Sequence, residues 1–248
     1  MSNLIISNYK EQFDNNGYFV SKNFVDKKFI TQIINEIDKS KNTIKYLDSN
    51  DELRRIEKIY DKGENLLLLN KKISILLKEV FNEDFLIFKD KYNAKPPGGE
   101  GFFAHYDGIF NFINSNNQKK NGWYEYGDFF INALVAIDNC NKENGTIELA
   151  KFHKGGFQEL LNNTKKDGTP ALSNKIESIT SFNLINLNVG DIVIFSNKCP
   201  HRSKKNYSNK NRRIIYYTYT LEKNGSKYEE YFRDKEGSKN SSKSLSEK

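Results

Sequence analysis

From residue 84 to 221 the chain is a succession of short β-prone runs separated by Gly, Asn and Lys clusters: "FLIFKDKYNAK", "GFFAHYDGIF", "FFINALVAIDN", "GTIELAKF", "VGDIVIFS" and "RRIIYYTYTL". Helical segments of about 10–15 residues do not recur between them, so the crossovers that a parallel sheet needs are missing. The pattern predicts antiparallel strands folded into two stacked sheets. Ahead of it, "YKEQFDNNGYFVSKNF" predicts a short helix after a few loose residues, an Asn-Asn-Gly turn and a short strand. Two amphipathic helices follow. One carries Phe29, Ile33, Ile34 and Ile37 at helical spacing, with Asp26 as its candidate cap. The other carries Leu66, Leu69, Ile73, Leu76, Leu77 and Val80 as one wide apolar stripe. The expected order is therefore helices first, then a β-sandwich, in one domain over residues 1–235. The connections at 111–128 and roughly 155–182 are long and polar, a size often used for lids or binding loops. The tail 236–248, "EGSKNSSKSLSEK", has Leu245 as its one apolar residue and is expected to be disordered.

Charge and cysteine usage narrow the function classes. The net charge is +7, but the lysines are spread among Asn, Asp and Glu rather than gathered in a basic arm. That argues against nucleic acid as partner, and it suits a positive field that draws in a small anionic molecule. Cys140 and Cys199 match no zinc or CxxC spacing and form no disulfide framework, so free thiols are expected. No apolar run reaches a membrane span, and "MSNLIISNYKEQF" lacks the charged and apolar regions of a signal peptide. The expectation is a soluble cytoplasmic protein with no membrane partner.

The chain has three histidines, and His105 stands two residues before Asp107 inside an aromatic run. In a strand, residues i and i+2 project from one face, so these two donors would point together and Tyr106 away from them. The pair alone also describes a buried histidine held by a carboxylate. A metal site needs a third donor, and the remaining imidazoles are His153 and His201. His201, in "NKCPHRS", follows the β-prone run "VGDIVIFS", where a neighbouring strand could bring it against the pair. His153 stands before a Gly-Gly turn and reads better as structural. Two imidazoles and one carboxylate on one face of an octahedron leave three open positions, the arrangement of non-haem Fe(II) oxygenases. Eleven residues beyond His201, Arg212 opens a β-prone run and can grip a carboxylate bidentately. Its neighbour Arg213 competes for that part, since one of two adjacent strand residues points inward.

Over roughly residues 10–235 these features resemble the phytanoyl-CoA dioxygenase-type branch of the Fe(II)/2-oxoglutarate oxygenases. The segments that carry the likeness are "EQFDNNGYFV", the HxD at 105–107, "NGTIELAKFHKGG", "VGDIVIF" and "HRSKKNYSNKNRR". The resemblance implies a mainly β fold with flanking helices: a double-stranded β-helix (jelly-roll, cupin-like) core with the N-terminal helices packed on one sheet. It also implies Fe(II) held by His105, Asp107 and His201, with 2-oxoglutarate as cosubstrate and O2 as oxidant. By the same likeness Arg212 anchors the distal carboxylate of 2-oxoglutarate, Ser203 contacts that group, and Lys89 or Asn93 touches the cosubstrate. Lys151 and Phe152 depart from the family pattern, which puts the turn after "GTIELAK" in doubt. Related halogenases lack the carboxylate, so Asp107 favours hydroxylation or desaturation. Phe103, Phe110, Phe195 and Tyr216 are candidate pocket walls.

For the substrate, "FKDKYNAKPPGGEGFFAHYD", "PHRSKKNYS" and the late "YYTYTLEKNGSKYEEYFRDKEGSK" resemble a subgroup that includes 2-aminoethylphosphonate hydroxylases, which oxidise the carbon next to phosphorus. Tyr106, where the subgroup commonly has Gln, is a departure from it. The expectation is a small polar or anionic metabolite, an organophosphonate among them, with Arg202, Lys91, Lys119 and Lys120 as candidate phosphonate contacts. The alternatives are another small metabolite of amino-acid or betaine type, and a non-catalytic jelly-roll binding protein.

Overall fold

The computed structural model describes residues 2–48 and 51–236. Its helices are α1 (Asn3–Asn16), α2 (Lys27–Lys39), α3 (Glu64–Phe81), α4 (Phe157–Asn162), α5 (Asn174–Ile179) and α6 (Tyr228–Glu236). The first strands are β1 (Tyr18–Ser21), β2 (Ile44–Leu47), β3 (Leu53–Glu57), β4 (Phe85–Lys95), β5 (Phe102–His105), β6 (Phe112–Ile113) and β7 (Lys119–Lys120). The remaining ones are β8 (Phe130–Ala136), β9 (Ile147–Ala150), β10 (Phe182–Leu184), β11 (Ile192–Ser196), β12 (His201–Ser203) and β13 (Arg212–Leu221). A seven-stranded sheet runs β1-β11-β8-β13-β4-β3-β2, and a four-stranded sheet runs β10-β9-β12-β5. Every pairing is antiparallel.

The central strands of the large sheet are apolar on both faces because both faces are covered. Ile131, Ala133, Val135, Ile215, Tyr217 and Tyr219 join the core formed with α1, α2 and α3. Leu134, Ala136, Val193, Phe195, Ile214 and Tyr216 face the other way, into a second cluster with Ile147 and Leu149 of the small sheet. The two sheets are thus the walls of a jelly roll, with the helices on the outer side of the larger one.

The two helical stripes are reproduced. On α3 all six stripe residues are buried, each worth roughly 1.5–3 kcal/mol relative to exposure. On α2 the buried residues are Ile30, Ile33 and Ile37, with Phe29 and Ile34 packed at the core edge. Asp26 caps that helix, its carboxylate accepting from the Phe29 N–H at 2.7 Å. Cys140 and Cys199 are free and buried. Among the described residues no helix is long and apolar enough to cross a membrane.

Several elements differ from the sequence expectation. α1 starts at Asn3, with no loose lead beyond Ser2. The segment between α2 and α3, to which the sequence reading assigned no element, forms the hairpin β2–β3, and β3 extends the large sheet through β4. The C-terminal part of the domain ends in α6, where Tyr228, Tyr231 and Phe232 are buried against the core. The connection 111–128 contains the two-stranded ribbon β6–β7 and a 3-10 turn at Gly122–Glu125, and the connection 155–182 contains α4 and α5. The tail expected to be disordered lies outside the described residues, apart from Glu236.

Candidate active site

β5 and β12 are neighbours in the small sheet, and their register sets His105 directly opposite His201. The two imidazole rings lie 4.2 Å apart. Each ring turns its Nδ1 to a backbone carbonyl: His105 donates to Phe103 at 2.8 Å and His201 to Cys199 at 3.1 Å. Donation from Nδ1 fixes the tautomer, so the Nε2 lone pairs face a common point. Burial and the neighbouring His201 push the His105 pKa down to about 3, and burial lowers His201 as well, which keeps both rings neutral and able to ligate.

Asp107 arrives by a different route from the one strand alternation suggests. β5 ends at His105, and the chain then bends through Gly108 at φ +76, where a Cβ would lie 2.5 Å from the Trp123 ring. Asp107 is held there by two asparagines. Its backbone N–H donates to the Asn197 carbonyl at 3.2 Å, and the Asn197 amide returns a hydrogen bond to its carbonyl at 3.1 Å. The Asn132 amide donates to Asp107 Oδ2 at 2.9 Å, and Thr218 Oγ1 donates to Asn132 Oδ1 at 2.8 Å, which orients that amide. The carboxylate is 3.5 Å from His201 Nε2 and 3.9 Å from His105 Nε2. Burial raises its pKa, but His201, Lys91, His105 and Lys89 outweigh burial and hold it below the usual carboxylate range.

Ligand atoms from His105, Asp107 and His201 all lie within 4.8 Å of one another, and the three residues are buried. Two neutral imidazoles and one carboxylate, oriented by a set of backbone and amide partners, fit an Fe(II) site with open positions. The open side faces a cavity between the two sheets, with about 540 Å3 of space that is partly open to solvent.

The cavity lining includes Arg212, Ser203, Asn93, Ile214, Leu134 and Ile147. Arg212 is 3% exposed and its Nε has no hydrogen-bond partner. Arg213 instead points away, with two contacts of 2.8 and 2.9 Å to the Asp138 carboxylate. Beside Arg212 lies Lys95, which sequence reasoning did not single out; it is fully buried. Its ammonium donates to Ser203 Oγ at 2.8 Å, to the Gly145 carbonyl at 3.1 Å and to the Lys204 carbonyl. Because the Ser203 oxygen accepts from Lys95, its O–H is left to donate elsewhere.

Other residues of interest are placed as follows. Lys89 is not in the cavity wall; its ammonium is 3.9 Å from Glu57 and 3.4 Å from the Tyr231 hydroxyl. Of the four candidate aromatic walls, Tyr216 lines the cavity, whereas Phe195 packs edge-on against the His201 and Tyr216 rings. Phe103 lies edge-on to His105 and Phe110 packs near Phe112. His153 bonds to the Tyr106 hydroxyl, away from the metal-ligand set. Arg202 reaches the wall but is paired with Glu148 at 2.7 Å and Glu177 at 3.2 Å. Lys120 is 4.0 Å from Glu125 and Lys119 is exposed.

Known structures share this architecture. The epimerase SnoN from nogalamycin biosynthesis, in complex with Fe3+, alpha ketoglutarate and nogalamycin RO, superposes with a TM-score of 0.67 at 12% identity, covering 88% of this chain and 84% of that one. EctD from S. alaskensis, with 2-oxoglutarate and 5-hydroxyectoine, gives a TM-score of 0.67 at 13% identity, over 88% and 77% of the two chains. The fold is therefore that of the jelly-roll oxygenases. Residues 13–214 match the phytanoyl-CoA dioxygenase (PhyH) family, and the chain belongs to it; it is a dioxygenase. It is 30% identical to a 2-aminoethylphosphonate dioxygenase from the uncultured bacterium HF130_AEPn_1, over 91% of this chain and 86% of that one. It is 27% identical to a methylphosphonate hydroxylase from Gimesia maris, over 71% and 61%.

Proposed function

We propose that the protein, with residues 1–235 as one catalytic domain, is an Fe(II)- and 2-oxoglutarate-dependent dioxygenase that hydroxylates a C–H bond of a small organophosphonate such as 2-aminoethylphosphonate. The observation that carries this reading is the pairing, in one cavity, of a buried His-Asp-His set with a buried guanidinium whose Nε lacks a hydrogen-bond partner. The names of the two phosphonate-oxidising relatives support the substrate class. Iron bound by His105, Asp107 and His201 supplies the oxidative chemistry, coupling O2 and the decarboxylation of 2-oxoglutarate to succinate and CO2 with substrate oxidation.

The residues of the chain do the rest. Arg212 grips the distal carboxylate of 2-oxoglutarate, which gives its buried Nε an acceptor. The Ser203 hydroxyl, held by Lys95, donates to the same carboxylate, and Asn93 in the adjoining wall offers its amide to the cosubstrate. Leu134, Ile147 and Ile214 exclude water from that end, which strengthens each charged contact. Asn132 and Asn197 hold Asp107 in position, and the two backbone carbonyls hold the imidazoles.

The test is an anaerobic Fe(II) and 2-oxoglutarate titration followed by a succinate-release screen across phosphonates, amino acids, betaines and acyl thioesters. A weak visible absorption band with both ligands, and succinate formed with 2-aminoethylphosphonate, support the proposal. Succinate formed with betaines or amino acids and with no phosphonate would replace the substrate class. Neither band nor succinate would favour a non-catalytic binding protein.

A further inference from the structure

The His-Asp-His set is carried by two stretches of chain, 105–107 and 197–201, and the ladder between them is short. β5 has four residues and finishes at His105, and its pairing with β12 shifts register between His201 and Ser203. His105 therefore stands on the last rung and Asp107 beyond it, where a strand terminus opens most readily. One tie across this junction is the pair of hydrogen bonds between Asp107 and Asn197.

A second tie lies behind the small sheet. Tyr106, between two of the ligands, is fully buried, and it packs with Ala104, Ile109, Leu160 and Leu172 in a cluster apart from the cavity lining. Its hydroxyl meets two side chains from elsewhere in the chain. The amide of Asn163, just past α4, donates to the Tyr106 oxygen at 3.4 Å, which leaves the hydroxyl proton to donate to Nδ1 of His153. Burial lowers the His153 pKa, which keeps that imidazole neutral and its Nδ1 able to accept.

His153 is fixed in turn to the stretch that leads into His201. Its N–H donates to the Lys198 carbonyl at 3.1 Å, the Lys198 ammonium donates to the Gly155 carbonyl at 2.9 Å, and the Ala150 N–H donates to the Pro200 carbonyl at 2.9 Å. Asn163 belongs to a segment that closes the other edge of β5. There the Leu172 N–H donates to the Ala104 carbonyl at 2.8 Å, the Tyr106 N–H donates to the Pro170 carbonyl at 3.3 Å, and the Ser173 N–H donates to the Asn163 carbonyl at 2.8 Å.

We propose that Tyr106 and His153, with Asn163, are positioning residues for the metal-ligand set: the hydroxyl-to-imidazole hydrogen bond ties the His105–Asp107 stretch to the stretch that leads into His201, and so sets the spacing of the ligands from behind the sheet. This rests on the reading of His105, Asp107 and His201 as iron ligands. The three positioning residues stand outside the cavity lining and act through the backbone on either side of the ligands.

The test is an anaerobic Fe(II) titration of the full-length apoprotein, followed by addition of 2-oxoglutarate to read the visible band. Tyr106→Phe keeps the ring and removes the hydroxyl; it should weaken Fe(II) binding by about 3–10-fold, less than the roughly 10–100-fold of a direct hydrogen-bond partner of a ligand, and shift the band maximum. His153→Leu should do the same, and the two together should cost no more than either alone, since one hydrogen bond is lost in every case. His153→Asn returns an acceptor near the Nδ1 position and should recover most of the affinity and the wild-type band. A lower apoprotein Tm with Fe(II) affinity and band unchanged would make the tie merely structural and overturn the proposal. If Tyr106→Phe and His153→Leu both keep Fe(II) affinity within about twofold and keep the band, while Asp107→Ala abolishes it, the tie does not position the ligands and the iron-site reading stands. If Asp107→Ala retains the wild-type band, or the wild type binds no Fe(II), the iron-site reading fails and takes the tie with it.

Discussion

Two groups of cations line or adjoin the cavity, and they come from different parts of the molecule. Lys95 and Arg212 come from β4 and β13, adjacent strands of the jelly roll itself, and Lys95 is satisfied by a hydroxyl and two carbonyls. Arg55 comes from the β2–β3 hairpin and Lys235 from α6, elements added around the roll, and both are tied to the carboxylate of Glu57. A cation held by neutral dipoles leaves the neighbouring Arg212 with its full charge for a ligand. Cations that share one carboxylate leave a net positive remainder. Under the proposed function the first arrangement suits the constant distal carboxylate of 2-oxoglutarate.

The largest expected effect falls on the metal-ligand set. Asp107→Ala should lower iron affinity by more than about a hundredfold, beyond the roughly 10–100-fold typical of losing a ligand's hydrogen-bond partner, and abolish the visible band seen with 2-oxoglutarate. Retention of the band would remove Asp107 from the metal-ligand set and dissolve the comparison. Next, Arg212→Ala should raise the 2-oxoglutarate requirement by about 10–150-fold, equivalent to a charged contact of about 1.5–3 kcal/mol, with iron binding kept. Arg213→Ala should leave that requirement unchanged, and the reverse result would exchange the two arginines.

Smaller effects sharpen the contrast. Asn132→Ala removes the amide that holds Asp107 and should weaken iron binding by about 10–100-fold, read by metal titration of the apoprotein. The mildest effect is one of stability at the Glu57 cluster. Burial raises the Glu57 pKa, but Lys89, Lys235 and Arg55 outweigh it and bring the carboxyl down from 4.5 to about 2. A carboxylate with a depressed folded pKa stabilises the protein fully above its unfolded value and loses that contribution as pH falls through the folded one. The Tm advantage of the wild type over Glu57→Gln should therefore be steady above about 4.5 and shrink between about 4.5 and about 2. A constant advantage across that window would mean that the cluster is held by packing and not by charge.

Much of the metal-ligand set and the Arg212 region was legible in the chain. The order of β-prone runs predicted antiparallel sheets, and His105, Asp107, His201 and Arg212 stand at spacings that resemble the family pattern. The Glu57 cluster was harder to read. "IKYL" and "LRRIE" are too short and too charged to stand out as strands, although the Asp-Ser-Asn-Asp segment between them is a turn signal. In "YEEYFRD" the helical spacing of Tyr228, Tyr231 and Phe232 was the available clue to α6.

By itself the sequence determined the residue types, their order and the periodicities, because strand and helix repeats and ligand chemistry are local properties. Which of two adjacent arginines turns inward was decided by the β13 register and by Asp138 capturing Arg213. The delivery of Asp107 depended on Asn132 and Asn197 from distant strands and turns. Arg55, Lys89 and Lys235 converge on the single carboxylate of Glu57. Each of these outcomes depends on which side chains, far apart along the chain, compete for the same charge, and that competition exists only once the sheets have closed.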